Sequence, residues 1–256
     1  MTERIEGKYD AIILQERTFN EADVMVTALT ADIGHQTFIA RGLKKEKSRL
    51  RGLISPFSEC RLQLVAGKGL PVLTGADLIN AHDAIRTNYR YSSAALYICD
   101  LVHQMTAENE VSPGRYQLLK EGLALLPTVR SWQWILYMEW ALLKDAGFAA
   151  DLDRCSVCGE RLPGYREAPV AGADGEFIHK DCQEDGAGAS LSVAAFAYLQ
   201  YLDRADLGHL GHIFLTEPAR QQVYDYLGHR YQYILDFPLA SRQSVRHLFA
   251  SPSLDK

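Results

Sequence analysis

Between residues 9 and 75, apolar side chains come in short runs bounded by turn formers, the pattern of β-strands. Residues 9–14, Tyr-Asp-Ala-Ile-Ile-Leu, read as a first strand and residues 24–30, Val-Met-Val-Thr-Ala-Leu-Thr, as a second. Asp32-Ile-Gly34 supplies a turn, and residues 36–41 return as a third strand paired with the second in a hairpin. From Ser58 the alternation is strict: Cys60, Leu62 and Leu64 face one way, Glu59, Arg61 and Gln63 the other. Gly67-Lys-Gly69 turns the chain, and Leu70 to Thr74 reads as a fifth strand. Strands this short and this closely spaced, with no long helix among them, predict a small closed barrel of the OB-fold kind.

Past about residue 80 the period changes to that of helices. Asp83 to Ala107 reads as one long helix with Leu96, Cys99, Val102 and His103 on its apolar stripe. Ser112-Pro113 opens another, with Ser112 as N-cap and Pro113 in the first turn, running to about Leu126 before Pro127. Ser131 to Ala146 follows, ended by Gly147. It carries Trp132, Trp134, Tyr137, Met138 and Trp140, which suit a core helix or a platform for stacked bases. Ser190 to Leu202, Thr216 to about Leu235, and Ser241 to Ala250, with Ser241 as its cap, read as three further helices. Residues 151–189 lack a sustained period and need something to hold them in order. The organisation expected is a multidomain α+β chain. A barrel spans residues 1–80 and an all-α helical domain residues 81–256, interrupted by an insertion at 151–189.

Composition is that of an ordinary globular protein, with 47% hydrophobic and 23% charged residues. There is no run of apolar residues long enough for a transmembrane helix, and the first residues are polar, unlike a signal peptide. The expected setting is cytoplasmic, with five cysteines as thiols or metal ligands rather than disulfides. Charge changes the picture more. The chain is formally −5, yet Arg41, Lys44, Lys45, Lys47, Arg49 and Arg51, set against Glu46 alone, make residues 41–51 a +5 window; everything else sums to −10. A window of this kind is a solvated charged loop or the footprint of a polyanion site. Lying between two strands, it reads as a mobile loop on a sheet, able to follow a phosphate backbone. Arg61 and Lys68 are its candidate neighbours on the barrel.

The insertion holds Cys155-Ser-Val-Cys158-Gly159 and, further on, His179-Lys-Asp-Cys182. Two pairs of soft or borderline ligands, each spaced by two residues, suit tetrahedral Zn²⁺ bound by Cys155, Cys158, His179 and Cys182. Four protein ligands fill the shell, which favours a structural over a catalytic ion; a redox role for Cys155 and Cys158 lacks the surrounding βαβ pattern. Cys60 and Cys99 sit on apolar faces as core residues, and His209, His212 and His229 read as surface residues. No phosphate-binding P-loop, nucleophile elbow or acidic cluster for catalytic metals is present. The chain therefore reads as a binder, not an enzyme. A zinc-containing, DNA-binding transcriptional regulator is the alternative, although no helix-turn-helix with a basic second helix is seen.

The order and spacing of many residues resemble the RecO family of bacterial recombination mediators. They are Ala11-Ile-Ile-Leu14, Glu21-Ala-Asp23, Leu29-Thr30, Gly34, Ala40-Arg-Gly42, the run Lys47-Ser48-Arg49-Leu50, and Pro56-Phe57. In the helical part they are Glu139, Leu142-Leu143, Gly147-Phe148, Leu152, Cys155-x-x-Cys158-Gly159 and Ser241-Arg242. The resemblance implies an N-terminal OB-fold, a helical bundle and a zinc-knuckle insertion. It further implies binding of single- and double-stranded DNA and annealing of complementary strands in DNA repair, at the nucleoid. Partnership with RecR follows, as does contact with the tail of the single-stranded-DNA-binding protein, with RecF and RecA as further partners in loading RecA. His179 stands where zinc-binding relatives carry a third cysteine of the set.

Overall fold

The computed structural model of the chain describes residues 5–163, 167–183, 188–210 and 213–249. Packing divides it into two compact units that meet between Pro127 and Thr128. That division lies well past the change of hydrophobic period at residues 80–81, because the helices following the barrel pack with it.

In the first unit, β1 (Gly7–Thr18), β2 (Val24–Thr30), β3 (Gly34–Ala40), β4 (Glu59–Val65) and β5 (Val72–Asn80) close into a barrel in the order β1-β2-β3-β5-β4. The long β1 makes closure possible. Its first half pairs antiparallel with β4, its second half with β2, and the register shifts between Ile13 and Gln15. The parallel contact of Ile39 with Val72 shuts the ring. Ala11, Ile13, Val26, Ala28, Phe38, Cys60, Leu62 and Leu64 fill the interior, as the alternation predicts for β4. Glu59 departs from that pattern. It is buried and pairs with Lys120 of a later helix, so the start of the face expected to be wet is covered, while Arg61 and Gln63 stay exposed. The fifth strand begins and ends later than expected, because Gly75 and Asp77 break its apolar alternation.

The single helix expected over 83–107 is two, α1 (Asp83–Arg86) and α2 (Tyr89–Met105). Asn88 interrupts it, its Oδ1 accepting from the Arg90 and Tyr91 N–H groups at 2.9 and 3.4 Å. Cys99 and Val102 are buried as expected, but Leu96 is 46% exposed, and the buried face takes in Ala95, Ile98 and Leu101 as well. Ser112 caps α3 (Pro113–Leu125), accepting from the Arg115 N–H at 3.3 Å. The β2–β3 turn is locked against residues 107–111. Gly34 has φ +72°, and a Cβ there would lie 2.0 Å from the Glu110 carbonyl oxygen. Beside it, His35 Nε2 and His103 Nδ1 share a hydrogen bond of 2.9 Å. Burial first, then the neighbouring His103, drives the His35 pKa down to about 4.

The second unit is built on α4 (Ser131–Asp145), α5 (Val193–Arg204), α6 (Glu217–Leu235) and α7 (Ala240–Val245). Trp132, Trp134 and Trp140 are all buried, so α4 is a core helix and not a stacking platform. Gly147, at φ +74°, ends it. α7 starts from Leu239, so Ser241 lies inside the helix instead of capping it, and Ala250 lies outside the described residues. The insertion carries a small sheet that its sequence hides: β6 (Val170–Ala171), β7 (Phe177–Ile178) and β8 (Ala189–Ser190) in the order β7-β6-β8. Phe177 is fully buried between Phe196 of α5 and Tyr226 of α6, with ring centroids 4.9 and 5.0 Å away. Arg230 of α6 pairs with Glu176 and donates to the carbonyls of Phe148 and Asp174. Packing and hydrogen bonding thus order this segment together with any metal it takes.

One ion pair joins the ends of this unit. Arg242 donates to the buried Glu139 carboxylate, Nε to Oε1 at 2.9 Å. Its guanidinium lies 3.5 Å from the Tyr224 ring centroid, and Gly228 leaves room for it: a Cβ there would come within 2.2 Å of Arg242 Nη1. Arg242→Ala takes the guanidinium away from a fully buried carboxylate and is expected to lower unfolding free energy by about 3–5 kcal/mol in urea titrations of the full chain. The exposed pair of Arg61 with Asp10 is the control: Arg61→Ala is expected to change stability by less than about 1 kcal/mol. Equal effects of the two substitutions would contradict the pinning role of Arg242.

Candidate nucleic-acid loop and metal centre

The basic window is folded onto the barrel, where the sequence suggested a mobile loop. Successive turns run through it: Lys45 N–H donates to the Gly42 carbonyl, Ser48 to Lys45, Arg51 to Ser48 and Leu53 to Leu50, at 3.0–3.3 Å. Leu43 and Ile54 enter the barrel core and Leu50 packs against it. The apolar residues scattered among the charges are therefore anchors, and Arg41, Lys44, Lys45, Lys47, Arg49 and Arg51 are all left exposed. Among the described residues, no carboxylate lies within ion-pairing distance of these six.

A second tie comes from the β1–β2 turn. Asp23 Oδ1 accepts from the Gly42 N–H at 2.7 Å, and the Lys44 N–H donates to the Ala22 carbonyl at 3.0 Å. The Gly42 N–H and the Asn20 amide, with Arg41 and Lys45 close by, hold the Asp23 carboxyl below its ordinary range. Lys44 Nζ donates to Thr18 Oγ1 at 2.6 Å. Sequence reasoning missed this tie; the signal was Asn20, whose Oδ1 accepts from the Ala22 and Asp23 N–H groups as in an Asx turn.

The two added candidates differ. Arg61 forms a bidentate pair with Asp10, at 2.7 and 3.1 Å, so its charge is already matched. Lys68 is exposed on the β4–β5 turn. That turn enters β5 at Val72, opposite Ile39, just where β3 leads into the basic loop.

In the insertion, Cys155, Cys158, His179 and Cys182 each present one ligand atom, all within 4.8 Å of one another. The knuckle forms because Gly159, at φ +75°, turns back so that its N–H meets the Cys155 carbonyl at 2.9 Å. His179 at the end of β7 comes within reach, its Nδ1 3.4 Å from Cys158 Sγ. Its Nε2 faces the Arg161 carbonyl oxygen at 3.0 Å, which fixes the ring and leaves Nδ1 as the ligand atom. Burial raises the Cys155 thiol, but the N–H groups of Cys158, His179 and Val157 outweigh it and bring its pKa to about 6. Burial and the two neighbouring thiols push Cys182 up to about 11. Three sulfurs and an imidazole crowded together, one of them already drawn towards thiolate, fit a soft, tetrahedral metal ion. Cys60 and Cys99 are buried thiols whose pKa values burial raises, as core residues should be. His229 is exposed on α6, and His212 lies outside the described residues.

A cleft of about 510 Å³ also opens beside α5, lined by Ala197, Tyr201, Phe214 and Leu215 with Arg204. No helix among the described residues is long and apolar enough to cross a membrane.

Comparison with known proteins reaches both the barrel and the helical part. The family description "Recombination protein O N terminal" matches residues 1–82, and "Recombination protein O C terminal" matches residues 86–243. A protein named DNA repair protein RecO from Desulforamulus reducens is 30% identical, over 95% of this chain and 95% of its own length. Its namesake from a Roseiflexus species is 30% identical over 95% of this chain and 87% of its own length. That from Bacillus pumilus is 27% identical over 94% of both. With a closed N-terminal barrel, a helical part bearing a Cys₃His cluster, and matches that run through both, the chain belongs to the RecO family.

Proposed function

We propose that this member of a DNA-repair family is a recombination mediator. It binds single- and double-stranded DNA through its basic loop, anneals complementary strands and, with RecR, helps load RecA onto DNA coated by the single-stranded-DNA-binding protein. The observation that carries this reading is the anchored loop: six cations on one folded excursion of the barrel, held by Leu43, Ile54 and Asp23 and facing solvent. Cations presented in this way neutralise phosphates without reading bases, so binding is tolerant of sequence. Two strands brought together over such a patch lose part of their mutual repulsion, which is what annealing requires, and no nucleotide hydrolysis is involved. Arg41, Lys44, Lys45, Lys47, Arg49 and Arg51 carry the contacts. Lys68, exposed on the turn that leads into β5, is read as joining them, and Arg61 contributes less because Asp10 holds it.

The Cys₃His cluster is read as a structural zinc site. Bound there, the ion ties the Cys155–Cys158 knuckle to the end of β7 and adds folding energy to the insertion. The cleft beside α5 is read as the dock for the acidic, apolar-ended tail of the single-stranded-DNA-binding protein. Its apolar walls suit the end of the tail and Arg204 suits its charge. No observation favours a transcriptional regulator over this reading.

Reversing Lys44, Lys45 and Lys47 together to Glu turns the window from +5 to −1. The triple variant is expected to bind labelled single-stranded DNA about a hundredfold more weakly or worse, with circular dichroism unchanged, while the native chain shows a log–log salt slope of about −0.7 per phosphate contact. Unaltered affinity in the variant would remove the loop from the site. Native protein purified with zinc is expected to carry a single tightly held ion by mass spectrometry, lost when Cys158 and Cys182 are both changed to Ser; retention of zinc in that variant would contradict the ligand set. Arg204→Glu is expected to weaken binding of a fluorescent oligo-aspartate peptide ending in phenylalanine by about tenfold, and an unchanged isotherm would place the dock elsewhere.

A further inference from the structure

Phe19 stands at the tip of the β1–β2 turn with 54% of its surface exposed. Among the described residues it is the first exposed large hydrophobic along the chain, the next being Leu78 at the far end of β5. A lone exposed ring is ordinary on a protein surface. This one is set in a rigid frame. The Phe19 and Asn20 N–H groups both donate to the Asp23 carbonyl, at 3.1 and 3.4 Å, and the Asn20 amide donates to Asp23 Oδ2 at 2.9 Å. The same turn holds the root of the basic loop through Asp23–Gly42 and Ala22–Lys44, and Thr18, next to Phe19, accepts from the Lys44 ammonium. The phenyl ring and the phosphate-binding cations are therefore carried on one hydrogen-bonded platform.

We propose that Phe19 is a base-stacking residue that gives this surface its grip on single strands. The inference rests on the basic loop being the phosphate site and adds a contact to the bases themselves. In a strand running along the loop, phosphates meet Lys44 and its neighbours, while an unstacked base lies against the Phe19 ring. Duplex DNA keeps its bases stacked internally and offers the ring nothing, so Phe19 favours single strands. Stacking on an aromatic ring needs only the π-face common to all bases, which keeps the contact indifferent to sequence. The chain's three tryptophans are buried in the second unit and cannot serve this role.

The test compares two fluorescein-labelled strands of equal length in binding to the full chain. One is all thymine; the other is abasic, with the same phosphates and no bases. The native chain is expected to prefer the thymine strand by about tenfold. Phe19→Ala is expected to bind both equally, at the abasic level, with its salt slope unaltered because the phosphate contacts remain. Phe19→Trp should restore the preference, and its added fluorescence should be quenched by the thymine strand but not by the abasic one. A native chain that does not discriminate, or a Phe19→Ala chain that still does, would overturn the proposal. Loss of the Lys44, Lys45 and Lys47 charges tests the loop separately. Should that triple variant bind as well as the native chain while Phe19→Ala loses its base preference, the stacking role stands and the phosphate site lies elsewhere.

Discussion

Like charges packed into eleven consecutive residues repel one another, and the charged side chains of residues 41–51 give no reason to stay together. What holds them is the barrel beneath. Leu43 and Ile54 are buried in its core, and the Asp23 carboxylate meets the backbone of Gly42. The long β1 matters here as well, because it pairs with both β2 and β4 and ends in the turn that carries Asp23. Remove these anchors and the loop would still be basic, but its cations would spread over many conformations, and ordering them on a ligand would cost conformational entropy at every binding event. Holding them in place beforehand is how a chain with a net charge of −5 sustains a strong local positive field.

The second unit solves a different problem, that of ordering a segment poor in apolar residues. Phe177 is driven between α5 and α6, and Arg230 gathers the carbonyls of Phe148, just ahead of the insertion, and Asp174, within it, while pairing with Glu176. These contacts bring His179 and Cys182 back to the Cys155–Cys158 knuckle, so the four ligand atoms lie together within the fold itself. Arg242 then ties the closing helix to Glu139 in the middle of α4. Both partners of that pair are among the residues that carry the family resemblance, and the structure gives the Glu139 carboxylate, fully buried, the guanidinium as its ion-pair partner.

Much of this was legible in the sequence because it depends on local pattern. Strand alternation placed Cys60, Leu62 and Leu64 inside, Ser112 announced its helix, and the paired spacing of Cys155, Cys158, His179 and Cys182 marked four residues that the fold brings together. The basic window was visible from charge alone. What escaped was tertiary. Glu59 stands on the polar side of the alternation yet is buried, because Lys120 from a later helix covers it. The strands of the insertion, two residues each, are too short to show a period. Leu43 and Ile54 looked incidental among charges because their partners lie on other strands. The link from Asp23 to Gly42 spans 19 positions, and no periodicity reports it.

The most direct test of the account is strand annealing without ATP. Two complementary oligonucleotides, each coated with single-stranded-DNA-binding protein, are mixed with this chain, and duplex formation is followed by fluorescence at low and moderate salt. A mediator working through an electrostatic loop on a barrel accelerates annealing, and the acceleration fades as salt rises. Strands that stay coated and unpaired at every salt concentration would contradict it.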